Sequence, residues 1–505
     1  MVTKLVAVVL YLLVLLLIGV VASRRMKGVK DYFAAGKGLG FLSVAFSARA
    51  TGESAWLLLG LTGMGAAFGA KAFWVVLGEV LGVAGAWLLM CRPFKRLTDR
   101  YDSITIPDYL EDRFRDDSHR LRLVSALALV VFVTIYVSAQ IDATGKAFED
   151  FLGWNYFLGI GVGFLVVLTY ITAGGFLAVV WSDVFQGSLM FLGLVGLPIV
   201  GLVMLGGVGE MSDRLTAIDP GLMSLAGPDG WSFTTVLSIV SLSLIGLGFL
   251  GSPQIFVRFL ALKDEREISK GAYVAIAFTL LSDTGAVLIG MVGRAILTEP
   301  GQPVEAVFGE GGEGVLPMLV EHALPLLLVG LFVAIVLSAI MSTVDSLLVL
   351  AGSAVVRDVH QKVRNPQLAD KDLVPISRMA TFALSIVALL ITVTVAFLVP
   401  DRTVFWFVIF GWSGISATFC PTMILSLFWS KMTARGALAA MIVGFLCVPI
   451  FKFAVPVLPV VGQFFAQLGE LPPAFFLSGL AAVIVSLTDH KGRERMMERA
   501  REMEA

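Results

Sequence analysis

Charge is what this chain has least of. Asp, Glu, Lys and Arg together make up 15% of its 505 residues, against 57% hydrophobic residues. Ordinary globular domains carry about 25% charged residues, and a mean hydropathy of +0.90 excludes a soluble domain. Cysteine is scarce too. Cys91, Cys420 and Cys447 are scattered in or beside apolar segments, which excludes a disulfide framework and a thiolate metal cluster. His119, His322, His360 and His490 are equally dispersed. The net charge of −1 gives nucleic acid no electrostatic support. No nucleophile–base pair, phosphate loop or metal cluster stands out, so the chain is read as no enzyme and as needing no cofactor.

Long apolar runs are what it has in abundance. Stretches of bilayer-crossing length fall at 4–22, 40–67, 72–91, 121–143, 155–173, 175–206, 233–255, 271–293, 318–352, 377–399, 404–429, 435–456 and 472–488. The reading is an all-α polytopic membrane protein of about 13 transmembrane helices. A β-barrel would show short alternating segments instead. The first run is followed, not preceded, by its basic residues, so it reads as a retained helix and not as a signal peptide. The stretch 318–352 exceeds one crossing; it is either one tilted helix with an extension or a short helix running into a long one. Residues 1–488 form one transmembrane domain and 489–505 a charged, helical tail.

Alternate loops are basic: Arg24, Arg25, Lys27 and Lys30; Arg92, Lys95, Arg96 and Arg100; Arg258, Lys263, Arg266 and Lys270; Arg357, Lys362 and Arg364. The opposite loops, 210–229 and 299–313, are acidic or poor in Lys and Arg. The basic side is therefore expected to be cytoplasmic, with the N-terminus outside and the C-terminus inside, in the plasma membrane. Within the basic loop 92–120, IPDYLEDRF has the pattern of an amphipathic helix after Pro107, but a solvated connector is the favoured reading.

The second run breaks its own rule. From Ser47 to Ser54 an Arg, a Thr, a Gly, a Glu and a Ser lie at bilayer depth, where one charge costs roughly 2.5–3.5 kcal/mol. A broken helix facing a small polar cavity accounts for them. Arg49 and Glu53 stand four apart and are expected to pair. The seventh run, SLSLIGLGFLGSPQIF, is also interrupted. Two interrupted helices at matching places in two halves point to an inverted-repeat transporter. The ninth run carries Ser338, Ser342, Thr343, Asp345 and Ser346, oxygen chemistry suited to a hard cation such as Na⁺. Asp183 sits near the start of the sixth helix, and Tyr136 and Gln140 share a face of the fourth. Glu79 and Asp283 are intramembrane carboxylates with no evident partner.

The stretches DYFAAGKGLG, SARATGESAWLLLGLTG, ITIPDYLEDRF, TIYVSAQ, GGFLAVVWSDVFQGSLM, GLGFLGSPQIFVRFLA, SAIMSTVDSLLVLAGSA and FWSKMTARGALAAMIVG together resemble the sodium:solute symporter family, most closely its sodium/proline branch. The resemblance implies a five-plus-five inverted repeat (LeuT-like), with repeats at about 40–206 and 233–429, one helix in front and extra helices at 435–488. It implies Na⁺ ligands at the carbonyls of Ala50, Glu53 and Ala339 and the hydroxyls of Ser342 and Thr343, with Asp183 in ion coupling. It implies a solute pocket of Thr51, Ser54, Trp56, Tyr136, Gln140, Phe249 and Pro253. Gly52 stands where proline carriers have Asp, Ile245 where they have Trp, and Phe249 where they have Tyr. The expected function is Na⁺-coupled import of a small organic solute by alternating access, proline or a related amino acid foremost. A different carboxylate or solute, or H⁺ coupling through Glu53 and Asp345, is the alternative. A channel lacks a filter repeat, and a sensor lacks a signalling domain. The partners are solute, Na⁺ and the bilayer.

Overall fold

The computed structural model describes residues 2–24, 34–369 and 373–504. Arg25, Lys27, Lys30 and the start of DYFAAGKGLG lie outside the described residues. Among the described residues the chain is helical, and an isolated bridge pairs Leu39 with Leu262. Eleven helices are long and apolar enough to cross a membrane.

In chain order, α1 (Val2–Ser23) precedes α2 (Phe41–Ala55), which continues through Trp56–Leu61 and Thr62–Phe68. Gly69, at φ 59°, turns the chain towards α3 (Phe73–Gly85), prolonged to Arg100, and the short α4 (Ile106–Phe114). Then come α5 (Arg120–Leu152), α6 (Tyr156–Leu205), α7 (Phe233–Leu244), α8 (Pro253–Ala261) and α9 (Ile268–Leu297). The rest is α10 (Val315–Ala323), α11 (Leu326–Ser353), α12 (Leu373–Leu398), α13 (Val404–Phe428), α14 (Ala434–Pro449), α15 (Leu471–Thr488) and α16 (His490–Glu504). Leu324 and Pro325 split α10 from α11, so the long ninth stretch is a short helix followed by a long one. The expected boundary between 155–173 and 175–206 falls at Gly175, where α6 bends with φ 58°.

Burial follows from composition. The lower half of α11, rich in Ser and Ala, is buried residue after residue, so it lies at the centre. Leucines of α1, α14 and α15 are exposed and form the apolar outer surface. The solvated connector expected at IPDYLEDRF is instead a packed helix. Thr105 Oγ1 accepts the Asp108 N–H at 3.1 Å, Pro107 fits the first turn, and Tyr109, Leu110 and Phe114 are buried. Its charges are consumed rather than solvated. Arg122 of α5 reaches Asp108 at 2.7 Å, Glu111 at 2.8 Å and Asp358, beyond the end of α11, at 2.5 Å.

Two helices break inside the bundle. At Ser54 the backbone of α2 turns to φ 46°, ψ −170°. Between α7 and α8 the chain tightens at Ile245–Phe249 and Gly251 takes φ 147°. The second break lies backbone to backbone with α3: a Cβ on Gly246 would stand 1.9 Å from the Gly78 carbonyl oxygen. Only glycine permits that approach.

Beside the first break, Arg49 pairs with Glu53 at 2.9 Å, as the spacing predicts. The same Nη2 stands 3.5 Å from Glu79 of α3 and 3.6 Å from Asp283 of α9, so the two carboxylates without evident partners share this guanidinium. Ser282 donates to Glu53 Oε1 at 2.9 Å. All four charged side chains are buried. One cation thus serves three carboxylates. Arg49→Met is expected to destabilise by about 3–5 kcal/mol, because it strands charge, whereas Glu53→Gln leaves the guanidinium two acidic neighbours and costs less. The double variant is not restored, since Glu79 and Asp283 remain uncompensated. Thermal unfolding in detergent measures this; equal losses for the two single variants would refute the shared-cation arrangement.

Candidate ion and solute site

The unwinding of α2 leaves backbone carbonyls that no longer find a partner four residues on. The hydroxyls of α11 answer them. Ser342 Oγ donates to the Ala50 carbonyl at 2.9 Å and lies 3.2 Å from the Ala339 carbonyl. Thr343 Oγ1 donates to the Thr51 carbonyl at 3.1 Å and lies 3.2 Å from that of Ala339. Two hydroxyls and the carbonyls of Ala50 and Ala339 therefore meet in one place. All are hard oxygens without fixed charge, the donor set that suits an alkali cation. The Glu53 carbonyl, the fifth nominated ligand, accepts the Trp56 N–H at the break, and the Glu53 carboxylate belongs to the Arg49 group.

Asp183 is buried on α6, next to this oxygen cluster. It accepts from Ser47 Oγ at 2.5 Å and pairs with Arg258 Nη2 at 2.9 Å. Arg258 also donates from Nε to Ser47 at 2.7 Å, and from Nη2 to Thr51 Oγ1 and Ser346 Oγ, each at 2.5 Å. Here a sequence expectation is overturned. The sequence places Arg258 among the loop cations that orient the chain, but it is 1% exposed and lies within α8. The seventh span runs on to Ala261, so the arginine is carried inside. Its one local bond, from Nη1 to the Gln254 backbone carbonyl at 2.5 Å, is one any residue at 254 would offer, so the sequence carries no signal of this placement.

Next to this oxygen cluster, the broken backbone at Ser54 meets α5. Ala55 N–H donates to Gln140 Oε1 at 3.1 Å, and Gln140 Nε2 lies 3.4 Å from Ser54 Oγ. Tyr136 OH donates to Ser54 Oγ at 3.3 Å. Tyr136 and Gln140, one turn apart, thus both face the break. Trp56 donates from Nε1 to the Gly52 carbonyl at 3.4 Å. Phe249 packs on Trp412 of α13 at 5.0 Å between centroids, with the Arg49 guanidinium 5.1 Å from its ring centre. Pro253 opens α8 as a helix-start residue, and its position is fixed by that geometry.

Ser54, Trp56, Tyr136 and Gln140 are thus adjacent, with Phe249 on the far side of Gly52: a Cβ there would lie 2.9 Å from the Phe249 ring. The Thr51 hydroxyl, expected on the solute side, instead meets Arg258, Asp183 and Ser346. Sequence reasoning missed Ser47, Arg258 and Trp412. The indole of Trp412 donates to the Ile245 carbonyl at 3.2 Å, so an aromatic ring from α13 lines the segment where the expected Trp is replaced by Ile.

Comparison with known proteins accords with this geometry. A family model, the sodium:solute symporter family, matches residues 32–444. The high-affinity proline transporter PutP of Bacillus subtilis (strain 168) is 36% identical over 477 residues, 94% of this chain and 95% of that one. The sodium/proline symporter of Escherichia coli (strain K12) is 31% identical over 497 residues, 98% of this chain and 95% of its own length. Among solved structures, the substrate-bound outward-open state of a Na⁺-coupled sialic acid symporter has a TM-score of 0.79 at 18% identity, covering 96% of this chain and 97% of that one. MhsT in complex with L-phenylalanine has a TM-score of 0.50 at 16% identity, covering 89% and 98%. At these identities the structural likeness bears on the fold alone. The family match, which takes in both broken helices and the oxygen-rich α11, shows that this chain belongs to the sodium:solute symporter family.

Proposed function

We propose that this chain is a secondary active transporter coupling inward Na⁺ flow to uptake of a small organic solute, proline or a related amino acid foremost. The observation that carries the reading is the meeting of the Ser342 and Thr343 hydroxyls with the Ala50 and Ala339 carbonyls at the broken α2. Na⁺ binds there as a co-transported substrate, with the Glu53 carbonyl as a further ligand once the break adjusts. Asp183 and Arg258 couple the ion to the basic face. Ser54, Trp56, Tyr136, Gln140, Phe249 and Pro253 form the solute side. The names of the proline-transporting relatives support the solute class, and the Gly52 and Phe249 departures argue for a pocket adjusted to a related solute.

Dividing the 60-residue apolar stretch Phe41–Arg100 at Gly69, and counting the part of α6 before Gly175, gives thirteen crossings. On this reading the breaks in α2 and in α7–α8 are equivalent points of a five-plus-five inverted repeat. The basic loops make their face cytoplasmic, with the N-terminus outside and the C-terminus inside the plasma membrane. One bundle then rocks against the other about the midplane site. Na⁺ biases that equilibrium only through its preference for one state over the other.

The test is uptake of labelled amino acids and carboxylates into proteoliposomes, with and without an inward Na⁺ gradient. Gradient-dependent accumulation of proline or a close analogue is expected; accumulation driven equally by a proton gradient alone would overturn Na⁺ coupling. Ser342→Ala and Thr343→Ala are each expected to raise the Na⁺ concentration for half-maximal uptake, by about tenfold, the equivalent of one ligand worth roughly 1.4 kcal/mol. Unchanged Na⁺ dependence in both variants would remove these hydroxyls from the site. Asp183→Asn, which keeps shape and removes charge, is expected to weaken Na⁺ dependence more than solute affinity. Normal Na⁺-driven accumulation in that variant would reduce Asp183 to a structural partner of Arg258.

A further inference from the structure

Three helices begin at one cavity on the basic face. The first turns of α5, α14 and α16 and the end of α4 enclose about 330 Å³. Arg115, Arg120, Arg435, Lys491 and Arg495 line it, against the carboxylates Asp116, Asp117 and Asp489. Five cations thus face three anions, and two of the anions are spent locally. Asp116 accepts from the Leu121 N–H at 2.7 Å and from Ser118 Oγ at 2.5 Å, capping the start of α5. Asp489 accepts from the Gly492 N–H at 3.2 Å, capping α16, and the same oxygen lies 3.7 Å from the exposed Arg435 guanidinium.

Local helix physics does not explain the cations. Arg120 and Lys491 stand in first turns, where the macrodipole favours anions; Arg435, also in a first turn, has a local partner in Asp489 at 3.7 Å. A residue that breaks a local rule without local gain points to another constraint. The cavity also sits at a definite depth. The apolar span Ala434–Ala454 begins at its wall, and the span Leu471–Thr488 ends one residue before Asp489. Its floor is apolar, with Phe114, Leu121 and Met496 buried. Further along the same helices, Leu127 of α5 and Leu446 of α14 are 56% and 50% exposed, part of the apolar outer surface. A net-positive hollow at the edge of an apolar surface has the form of a lipid headgroup site.

We infer that this cavity binds the phosphate headgroup of an anionic phospholipid, with the guanidinium groups of Arg120 and Arg435 and the Lys491 ammonium around the phosphate and the acyl chains lying along α5 and α14. Arginine suits the role because its fork of donors matches phosphate oxygens. The site is separate from the ion and solute residues, so occupancy stabilises the fold without entering the solute pocket.

The experiment follows thermal unfolding of the full chain in neutral detergent during titration with dioleoylphosphatidylglycerol, dioleoylphosphatidylcholine or sodium phosphate. Phosphatidylglycerol is expected to raise the midpoint saturably, and the other two are not. Arg435→Ala combined with Lys491→Ala is expected to weaken the apparent phosphatidylglycerol affinity at least tenfold. Arg96→Ala combined with Lys263→Ala removes the same charge from the same face outside the cavity and is expected to leave that affinity within about twofold. Equal weakening by the two pairs means diffuse attraction and overturns the site. A response to phosphate alone means a free-anion pocket, and an equal response to phosphatidylcholine means general lipid solvation; each overturns the proposal. Should the cavity variant not fold, native mass spectrometry of the unsubstituted chain decides: selective retention of phosphatidylglycerol from an equimolar lipid mixture supports the site, and unselective retention overturns it.

Discussion

The break in α2 at Ser54 constrains everything around it. A serine at φ 46°, ψ −170° sits in a region that costs about 1–3 kcal/mol. Within a bilayer, each backbone group it frees would cost several kcal/mol more if left unmet. The break therefore exists only where other helices answer it. Gln140 takes the Ala55 N–H, and Ser342 and Thr343 take the carbonyls of Ala50 and Thr51. That fixes α5 and α11 beside α2 and places α2 inside the bundle. The break between α7 and α8 obeys the same rule, with Ser252 reaching the Gly248 carbonyl and Trp412 that of Ile245. Groups that satisfy a broken helix are also groups that can bind a small polar ligand, so the structural requirement and the proposed binding site coincide.

Two buried guanidinium groups brace α2 from different sides. Arg49 ties it to α3 and α9 through Glu79 and Asp283. Arg258 ties it to α6 and α11 through Ser47, Asp183 and Ser346. Arg258 uses all three nitrogens of its planar fork, which an ammonium point charge cannot match, whereas the three carboxylates around Arg49 gather on Nη2 alone. The contrast between the two lies in charge balance. Arg258 meets one carboxylate and several neutral hydroxyls, while Arg49 meets three carboxylates.

Much of this was legible in the sequence because a bilayer penalises polar groups strongly. Arg49, Thr51 and Glu53 in one apolar run, and four hydroxyls with Asp345 in another, stand out for that reason alone. The helical class and most span positions followed from run length. What stayed hidden depends on long-range pairing or on helix ends. Arg258 pairs with a carboxylate 75 residues away, and at the edge of an apolar run it reads as a loop cation. Glu79 and Asp283 find Arg49 only once three helices are packed. In α4, IPDYLEDRF looks solvated because its charges are visible while their partners, Arg122 and those Arg122 recruits, are far along the chain. Trp412 carried no signal at all, since an aromatic residue in an apolar helix is unremarkable until the glycine opposite it is known: a Cβ on Gly248 would stand 2.3 Å from the indole.

Gly52 and Phe249 are best understood as one feature. A Cβ at residue 52 would lie 2.9 Å from the Phe249 ring, and that ring is held between Trp412 and the Arg49 guanidinium. In this packing it has little room to yield. An acidic side chain at this position is thus incompatible with the ring as it stands here. The nearest carboxylate is instead Glu53, drawn away by Arg49 and Ser282. On the proposed reading, the wall at residue 52 is apolar and aromatic, and hydrogen bonding falls to Ser54, Tyr136 and Gln140. Polar groups placed sparsely in an apolar pocket set orientation and discrimination, and a site built to bond a particular group rejects analogues lacking it far more strongly than it rejects a missing methylene. On that reading, solute choice rests on those three side chains and on the shape left by Phe249, not on a charge at residue 52.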